Sequence, residues 1–481
     1  MTGEVLWYRL SNWLRDCLRV SGSRLVLYGF FVSIIFTQIG AALAQGSSGL
    51  AKDSIKTITL EECIKIASTK STEFLKGTNA VELAGTDVLR SYGQFLPDLA
   101  LGTGYNYTSG TNYYTMSVPT LVDTRKTGYY YQLATSLNLF NGLADKASLK
   151  AALMEKSGQV MNLQRALQQI CFDVTQSYLQ VILDRKIVGY ASENLETSLK
   201  REDQLKVLTE IGRKVKSDLY QQQAQTSADK LTLIHAETQL RTDKINLFKK
   251  LRMADAERYE LAEMTLNEDP LGPSYSNEQS LIDTALTLRS DLRSDKLNVD
   301  IAEQNIEKYR SGYLPKLAIN YGLYSEGGYY YQLYVNDLYS LPPSQPSFGN
   351  QLGQLYGMGG LEATWTIFDK WYTRSNISAG KITMDNARID YENLQIEIKT
   401  DIKKAMGDYQ AALQAVESAE KGIVAATSAF DIINGRYELG SSDFIELINA
   451  QLALLQAREN KIQAIIGLVL QKRVIDFYIG K

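Results

Sequence analysis

The sequence predicts a mainly α-helical fold with a smaller β element that enters a membrane, assembled from a duplicated unit of helix, β-hairpin and long helix. Three observations carry this expectation. From Tyr391 to Tyr437 apolar residues recur at steps of three and four (Tyr391, Leu394, Ile398, Ala405, Tyr409, Ala412, Val416, Ala419, Ile423, Ala426, Phe430, Ile433, Tyr437), with Asp401 the one break. Such a seam belongs to one continuous helix packed lengthwise on a neighbour, and its small residues at seven-residue spacing let backbones come close. The seam occurs again 228 residues earlier, at Leu163, Ala166, Ile170, Ser177, Val181, Val188, Ala191, Leu195, Ser198 and Leu205, with Asp184 and Glu202 as misfits. This marks an internal duplication. Ahead of each seam a proline, Pro97 or Pro315, announces a change of period from 3.6 to 2, which is the change from helix to strand.

At 481 residues the chain is long enough for a large core or two domains. Its 30 Tyr against 13 Phe and only 8 Pro fit long helices joined to a Tyr-rich element. The N-terminus carries Arg9, Arg15, Arg19 and Arg24, then the apolar run from Leu25 to Phe36, then Ala42-Leu43-Ala44. That is the three-part form of a secretory signal peptide over residues 1–44, with cleavage expected after Ala44 and an uncleaved signal anchor as the alternative. No Cys follows the cleavage site to carry a lipid. Without the leader's four basic and two acidic residues, 47 basic face 52 acidic side chains, a net −5, which argues against nucleic acid as a partner. Of the remaining cysteines, Cys63 and Cys171, both lie on helical patterns and read as buried thiols, with a bridge as the alternative. Beyond the leader no run of about 18 apolar residues offers a membrane helix, but an exported chain can enter a membrane as a β-barrel.

The first repeat, 45–270, opens at Thr59-Leu60-Glu61-Glu62 and the second, 271–481, at Ser276-Asn277-Glu278-Gln279, both capping boxes that start a helix. Helical patterns run to about Gly93 and Gly312, and Pro97 and Pro315 stop them. Alternating runs follow at about 98–108 and 128–140, and at about 316–324 and 355–368, with apolar residues at odd positions such as Leu101, Leu133, Ile319 and Leu361. Each is long enough for a tilted strand to cross a bilayer. The segments between them, 109–127 and 325–354, read as loops. Four strands cannot close a barrel, so several copies must share one; a small solvent-exposed sheet on a soluble rod is the alternative.

Phe140-Asn141 and Phe368-Asp369 end the strands, and helical hairpins are expected over 143–252 and 371–480. The long arm of each spans about 100 Å at roughly 1.5 Å per residue. Gly212 and Gly440 stop the long arms, and Ser217-Asp218 and Ser442-Asp443, with Glu446 three places after Asp443, offer caps for the return helices.

This ordered set resembles the TolC family of outer-membrane efflux proteins. Its sharpest pieces are Tyr437-Glu438-Leu439-Gly440 with Ala450-Gln451 ten residues on, and Ile211-Gly212 with Ser217-Asp218-Leu219. The resemblance implies a homotrimer whose strands form one 12-stranded β-barrel in outer-membrane lipid, continued by a periplasmic α-helical barrel. It further implies passive export of substrate delivered by an inner-membrane transporter through a periplasmic adaptor, which docks on the turns at Gly212, Ser217, Gly440, Ser441 and Asp443. In relatives the periplasmic end is closed by links between a Tyr before the second turn and an Asp after the first, which match Tyr437 and Asp218 here. An Arg used in a second family link is replaced by Ser442, and of two acidic rings this chain keeps Glu446 but has Asn449. One carboxylate ring instead of two implies weaker block by multivalent cations. Glu446 also reads as a plain helix cap and Tyr437 as plain packing.

Enzyme signatures are absent. His235 is the only His, so no His-based metal site or Ser-His-Asp triad can form, and Gly380-Lys381 lacks the rest of a phosphate loop. No cofactor is expected. The competing class is a structural or adhesive coiled-coil surface protein without transport activity.

Overall fold

The computed structural model describes residues 56–115, 119–263, 275, 277–333 and 355–481. In chain order it forms β1 (Lys56–Ile58), α1 (Leu60–Lys70), α2 (Thr72–Gly93), β2 (Ala100–Thr115), β3 (Pro119–Asn141), α3 (Ala144–Glu210), α4 (Lys216–Lys250), β4 (Tyr259–Leu261), α5 (Glu278–Leu288), α6 (Ser290–Arg310), β5 (Lys316–Leu333), β6 (Tyr356–Thr364), α7 (Tyr372–Glu438) and α8 (Phe444–Ile479). The leader and Ser276 lie outside the described residues.

The duplication is visible in the element bounds. Helices α3 and α7 are each 67 residues long and begin and end 228 apart, so each spans about 100 Å. Along α7 the seam is what the neighbours cover: Ile398, Ala405 and Tyr409 are buried, while Ala412, Val416, Ala419, Ile423, Ala426, Phe430 and Ile433 are half-buried among exposed residues. The misfit Asp184 is buried in the corresponding seam of α3. Each long helix starts with two successive left-handed residues, Gly142-Leu143 and Lys370-Trp371, at φ between 55° and 70°. This turns the chain sharply from strand to helix. At Gly142 a side chain would come within 2.6 Å of the Ser311 carbonyl, so the junction has room for glycine only. In the second repeat Asp369 accepts a bond from the Thr373 amide at 2.7 Å.

The sheet runs β2-β3-β5-β6, antiparallel throughout, with β2 and β6 as its outer strands among the described residues. Its register sets Leu101 beside Leu133, Leu133 beside Leu323, Leu137 beside Ile319 and Ile319 beside Leu361. Odd-numbered apolar residues of all four strands thereby share one face, on which Leu101, Tyr105, Tyr107, Leu133, Ile319, Tyr321 and Leu361 are exposed. Where strands meet helices, Phe95, Tyr313, Trp365, Phe368, Trp371 and Tyr372 are exposed as well. None of the helices among the described residues is long and apolar enough to cross a membrane.

Two apolar clusters hold the helices. One joins Cys63 and Ala67 of α1, Val174, Tyr178 and Ile182 of α3, Leu247 and Phe248 of α4, and Ile462 and Ile466 of α8; the other joins Ile282 and Ala285 of α5, Ile398, Ile402 and Met406 of α7, and Ile475 and Ile479 of α8. The small parallel pair β1 and β4 sits on the first cluster through Ile58 and Leu261.

Several expectations need correction. The first segment read as a loop is largely strand: β2 continues to Thr115 and β3 begins at Pro119, paired residue by residue from Ser109–Arg125 to Thr115–Pro119; of the second, β5 takes the start as far as Leu333, and 334–354 lies outside the described residues. Ladder pairing overrides the Ser and Gly content there. Conversely β6 stops at Thr364, because β5 begins opposite it at Lys316 and offers no partner for Trp365 to Phe368. The first helix of each repeat is broken, at Ser71 and at Arg289, which are 218 apart, as Pro97 and Pro315 are. The cap of α5 is Asn277, whose side chain accepts from the Ser280 amide, rather than Ser276. Ser217 and Asp218 do not cap α4, which starts a residue earlier at Lys216 behind Val215. Cys63 is buried and its thiol is pushed up to about 11 by burial, then by Glu62. Cys171 is only half-buried, and both are free thiols.

Candidate functional site at the helical turns

The candidate gate lies where the two hairpins turn. Gly212 and Gly440 adopt φ of 74° and 75°, and each closes its long helix with the same paired bonds. Arg213 donates to the Leu208 carbonyl and Gly212 to that of Thr209; Ser441 donates to Arg436 and Gly440 to Tyr437. This double bond pattern needs a left-handed residue, which glycine adopts without strain. The turns expose the apolar Ile211, Val215, Leu439 and Ile445 among the exposed polar Arg213, Lys216, Ser217, Ser441 and Asp443.

Asp443 caps α8, accepting from the Glu446 amide at 2.7 Å. The Glu446 carboxylate accepts from the Ser442 hydroxyl and stands 4.0 Å from Arg436. Arg436 also donates to the Ser441 carbonyl at 3.1 Å. Glu446 thus has a donor and a cation of its own turn beside it, and Asn449, one helical turn on, is exposed without a charge. Asp218 lies in the first turn of α4, where its charge suits the helix dipole, and its carboxylate accepts from Ser217 at 3.3 Å.

The structure does not bring Tyr437 and Asp218 together. The Tyr437 hydroxyl is buried with no hydrogen-bond partner among the described residues. Its ring carries the Lys214 ammonium 4.0 Å from the centroid and meets the Phe444 ring at 6.0 Å. A cation from the first turn thus sits on an aromatic face from the second.

Above the turns lies a polar bolt that the sequence did not reveal. Arg201 of α3 donates to Gln451 of α8 at 2.6 Å and to Asn434 of α7 at 3.3 Å, and Gln451 donates back to Asn194 of α3 at 2.7 Å. One guanidinium fork therefore ties both hairpins together, and burial lowers its pKa against the raising influence of Tyr437 and Glu438. The available signal was Arg201 beside the seam misfit Glu202, with Gln451 interrupting an apolar helix. Nothing local in the sequence says that these residues meet across 250 positions.

The model of the family described as "Outer membrane efflux protein" matches residues 281–466. The chain is 21% identical to the outer membrane protein TolC of Vibrio cholerae, over 88% of this chain and 89% of that relative. Among solved structures it is similar to CusC, with TM-score 0.73 and 13% identity over 91% of this chain and 95% of that one. It is also similar to the open state of the Neisseria gonorrhoeae outer membrane channel MtrE, with TM-score 0.69 and 15% identity over 91% and 94%.

Proposed function

Because this chain belongs to the outer membrane efflux protein family, we propose that it is the outer-membrane channel of a tripartite efflux or secretion system and exports its substrate passively rather than acting as an enzyme. Three copies close one 12-stranded barrel, and their helices continue it as a tunnel through the periplasm. The observation that carries this reading is the open four-stranded sheet, with β2 and β6 outermost and an exposed apolar face. An edge of unpaired amides and carbonyls cannot remain open in lipid, so β2 of one copy must pair with β6 of the next until the ring closes. The exposed aromatics at the strand-helix junctions suit the interfacial girdle of such a barrel.

At the other end the bolt of Arg201, Gln451, Asn434 and Asn194 and the Lys214–Tyr437 contact hold the two hairpins of one copy together, which makes them the parts to be parted on opening. Glu446, Asn449 and Ser442 line the second turn, and the exposed turns, apolar residues set among charged and hydroxyl ones, receive a periplasmic adaptor joined to an inner-membrane transporter.

Photo-crosslinking from Ser441 in living cells, with fractionation of the outer membrane, tests this. Capture of a periplasmic adaptor, together with a trimer in the outer-membrane fraction, is the expected result. A monomer in the soluble periplasm, or a trimer that reproducibly captures no adaptor, would overturn the proposal.

A further inference from the structure

The seam misfit Asp184 has an explanation that the channel function does not use. It lies on the face of α3 toward α4 and is only 4% exposed. Gln180 donates to its Oδ1 at 2.9 Å, while its Oδ2 has no hydrogen-bond donor among the described residues. What Asp184 meets across the interface is the carboxyl group of Asp243 on α4, within hydrogen-bonding reach. Asp243 has donors from its own helix, Gln239 to Oδ2 at 2.8 Å and Asn246 to Oδ1 at 3.5 Å. Two carboxyl groups with oxygens turned to each other repel when both are ionised and form a hydrogen bond when they share one proton. Asp243 and Gln180 also line an open cleft with Asp173, Lys249 and Lys250, so protons from solvent have a route to the pair.

Of the charges that share the cleft with Asp243, Lys250 donates to the Asp173 carbonyl and the Ser177 hydroxyl, and Lys249 lies beside it. On α4, Arg241 and Lys244 flank Asp243 along the chain; on α8, Arg458 is taken by Glu193, and Glu459 and Lys461 follow it. On α3, Arg185 donates to the Leu261 carbonyl and Lys186 pairs with Glu263. Of all these, Asp243 is the one whose charge acts on Asp184. The second repeat places Ala412 and Leu468 at the corresponding positions, 228 and 225 residues on, so the duplicated fold does not require carboxylates here.

We propose that Asp184 and Asp243 are a proton-sharing pair that clamps α3 to α4 in acid and loosens the first helical hairpin as the pH rises toward neutrality. The sign follows from linkage. Burial, and then the Asp243 carboxyl, pushes Asp184 up to about 6 from an ordinary carboxylate value. A raised carboxyl pKa favours the closed hairpin fully below the ordinary value, and that advantage is lost as pH rises through the raised one.

The test is amide hydrogen exchange of the purified full-length chain in detergent, read over 180–188 and 239–247 and corrected for intrinsic rates. Exchange is expected to rise about tenfold from pH 5 to pH 7.5, the change set by that displacement of one carboxyl. Asp184→Asn should remove the pH dependence while keeping a side chain able to bond Asp243. The double replacement Asp184→Ala with Asp243→Leu, which imports the second repeat's residues, should give protection that is both high and independent of pH. Exchange in the native chain that is flat with pH, or a pH dependence that persists in Asp184→Asn, would overturn the proposal. So would protection restored at neutral pH by magnesium ion in place of acid, which would make the pair a cation site.

Discussion

The two helical hairpins share one backbone plan and differ in what holds them. In the second, α8 buries Leu447, Leu454 and Leu468 toward its partner helix, and the seam of α7 brings Ala412 and Ala426. The equivalent places in the first hairpin are Gln222, Asp229, Asp243, Asp184 and Ser198. There Gln222 donates to the Ser198 carbonyl at 3.1 Å and to Thr226 at 3.3 Å, Ser198 donates to Asp229, and Gln225 donates to Asp229 at 2.8 Å. A buried leucine contributes about 1.5–3 kcal/mol. A satisfied hydrogen bond adds a net of only about 0.5–1.5 kcal/mol, since the separated groups bond water instead. Duplication thus preserved geometry while the adhesive changed between the first apolar cluster and the turn, and that stretch of the first hairpin is the one whose packing is easier to undo. Polar contacts also have a definite register, so it can reclose in one arrangement.

Replacing residues at equivalent positions breaks or sharpens this contrast. The largest effect is expected for Leu447→Ala, fully buried in the second hairpin, at about 2–5 kcal/mol for a deleted core leucine. Its counterpart change Gln222→Leu should be neutral to stabilising by about 1 kcal/mol, because the buried Gln222 Oε1 has no donor among the described residues and its removal relieves a desolvated group. Thermal unfolding of both variants checks the pair; equal losses would show that the hairpins are held alike.

Arg201→Ala comes next. It removes the charged donor shared by Gln451 and Asn434, a loss of about 1.5–3 kcal/mol for bonds to a charged group. In planar lipid bilayers the variant should conduct more than the native channel; unchanged conductance would remove the bolt from the gate.

Smaller still is Tyr437→Phe. Its hydroxyl has no hydrogen-bond partner among the described residues, while the ring keeps Lys214 and Phe444, so stability and conductance should change by less than about 0.5 kcal/mol equivalent. Opening by Tyr437→Phe as large as that by Arg201→Ala would mean that the hydroxyl is a latch in the assembled channel.

The smallest effect is expected for Glu446→Gln, measured as cation block of conductance. The exposed carboxylate already has Ser442 and Arg436 beside it, so block should fall slightly and lose most of its remaining salt dependence.

The legible parts of the site were those with local causes. Gly212 and Gly440 announced left-handed turns because few other residues adopt them cheaply, and Asp443 announced a cap because a short acceptor before a helix satisfies a free amide. Ser217 and Asp218 offered the same chemistry, yet the helix began at Lys216, since the turn before it and not the side chain set the start. The bolt was illegible because Arg201, Asn434 and Gln451 come from three helices, and no period in one helix says which polar residue another will present.

By itself the sequence determined the duplicated order of helix, proline, hairpin and long helix, the length of the seams and the positions of the turns. Each of these follows from periodicity or from a residue's own backbone preference, which neighbours along the chain suffice to express. Tertiary structure alone decided that segments read as loops would pair as strands, that Asp184 would meet Asp243, and that Lys214 would cover Tyr437. Those outcomes depend on which surfaces are brought together, and a contact energy has no value until its two partners share a place.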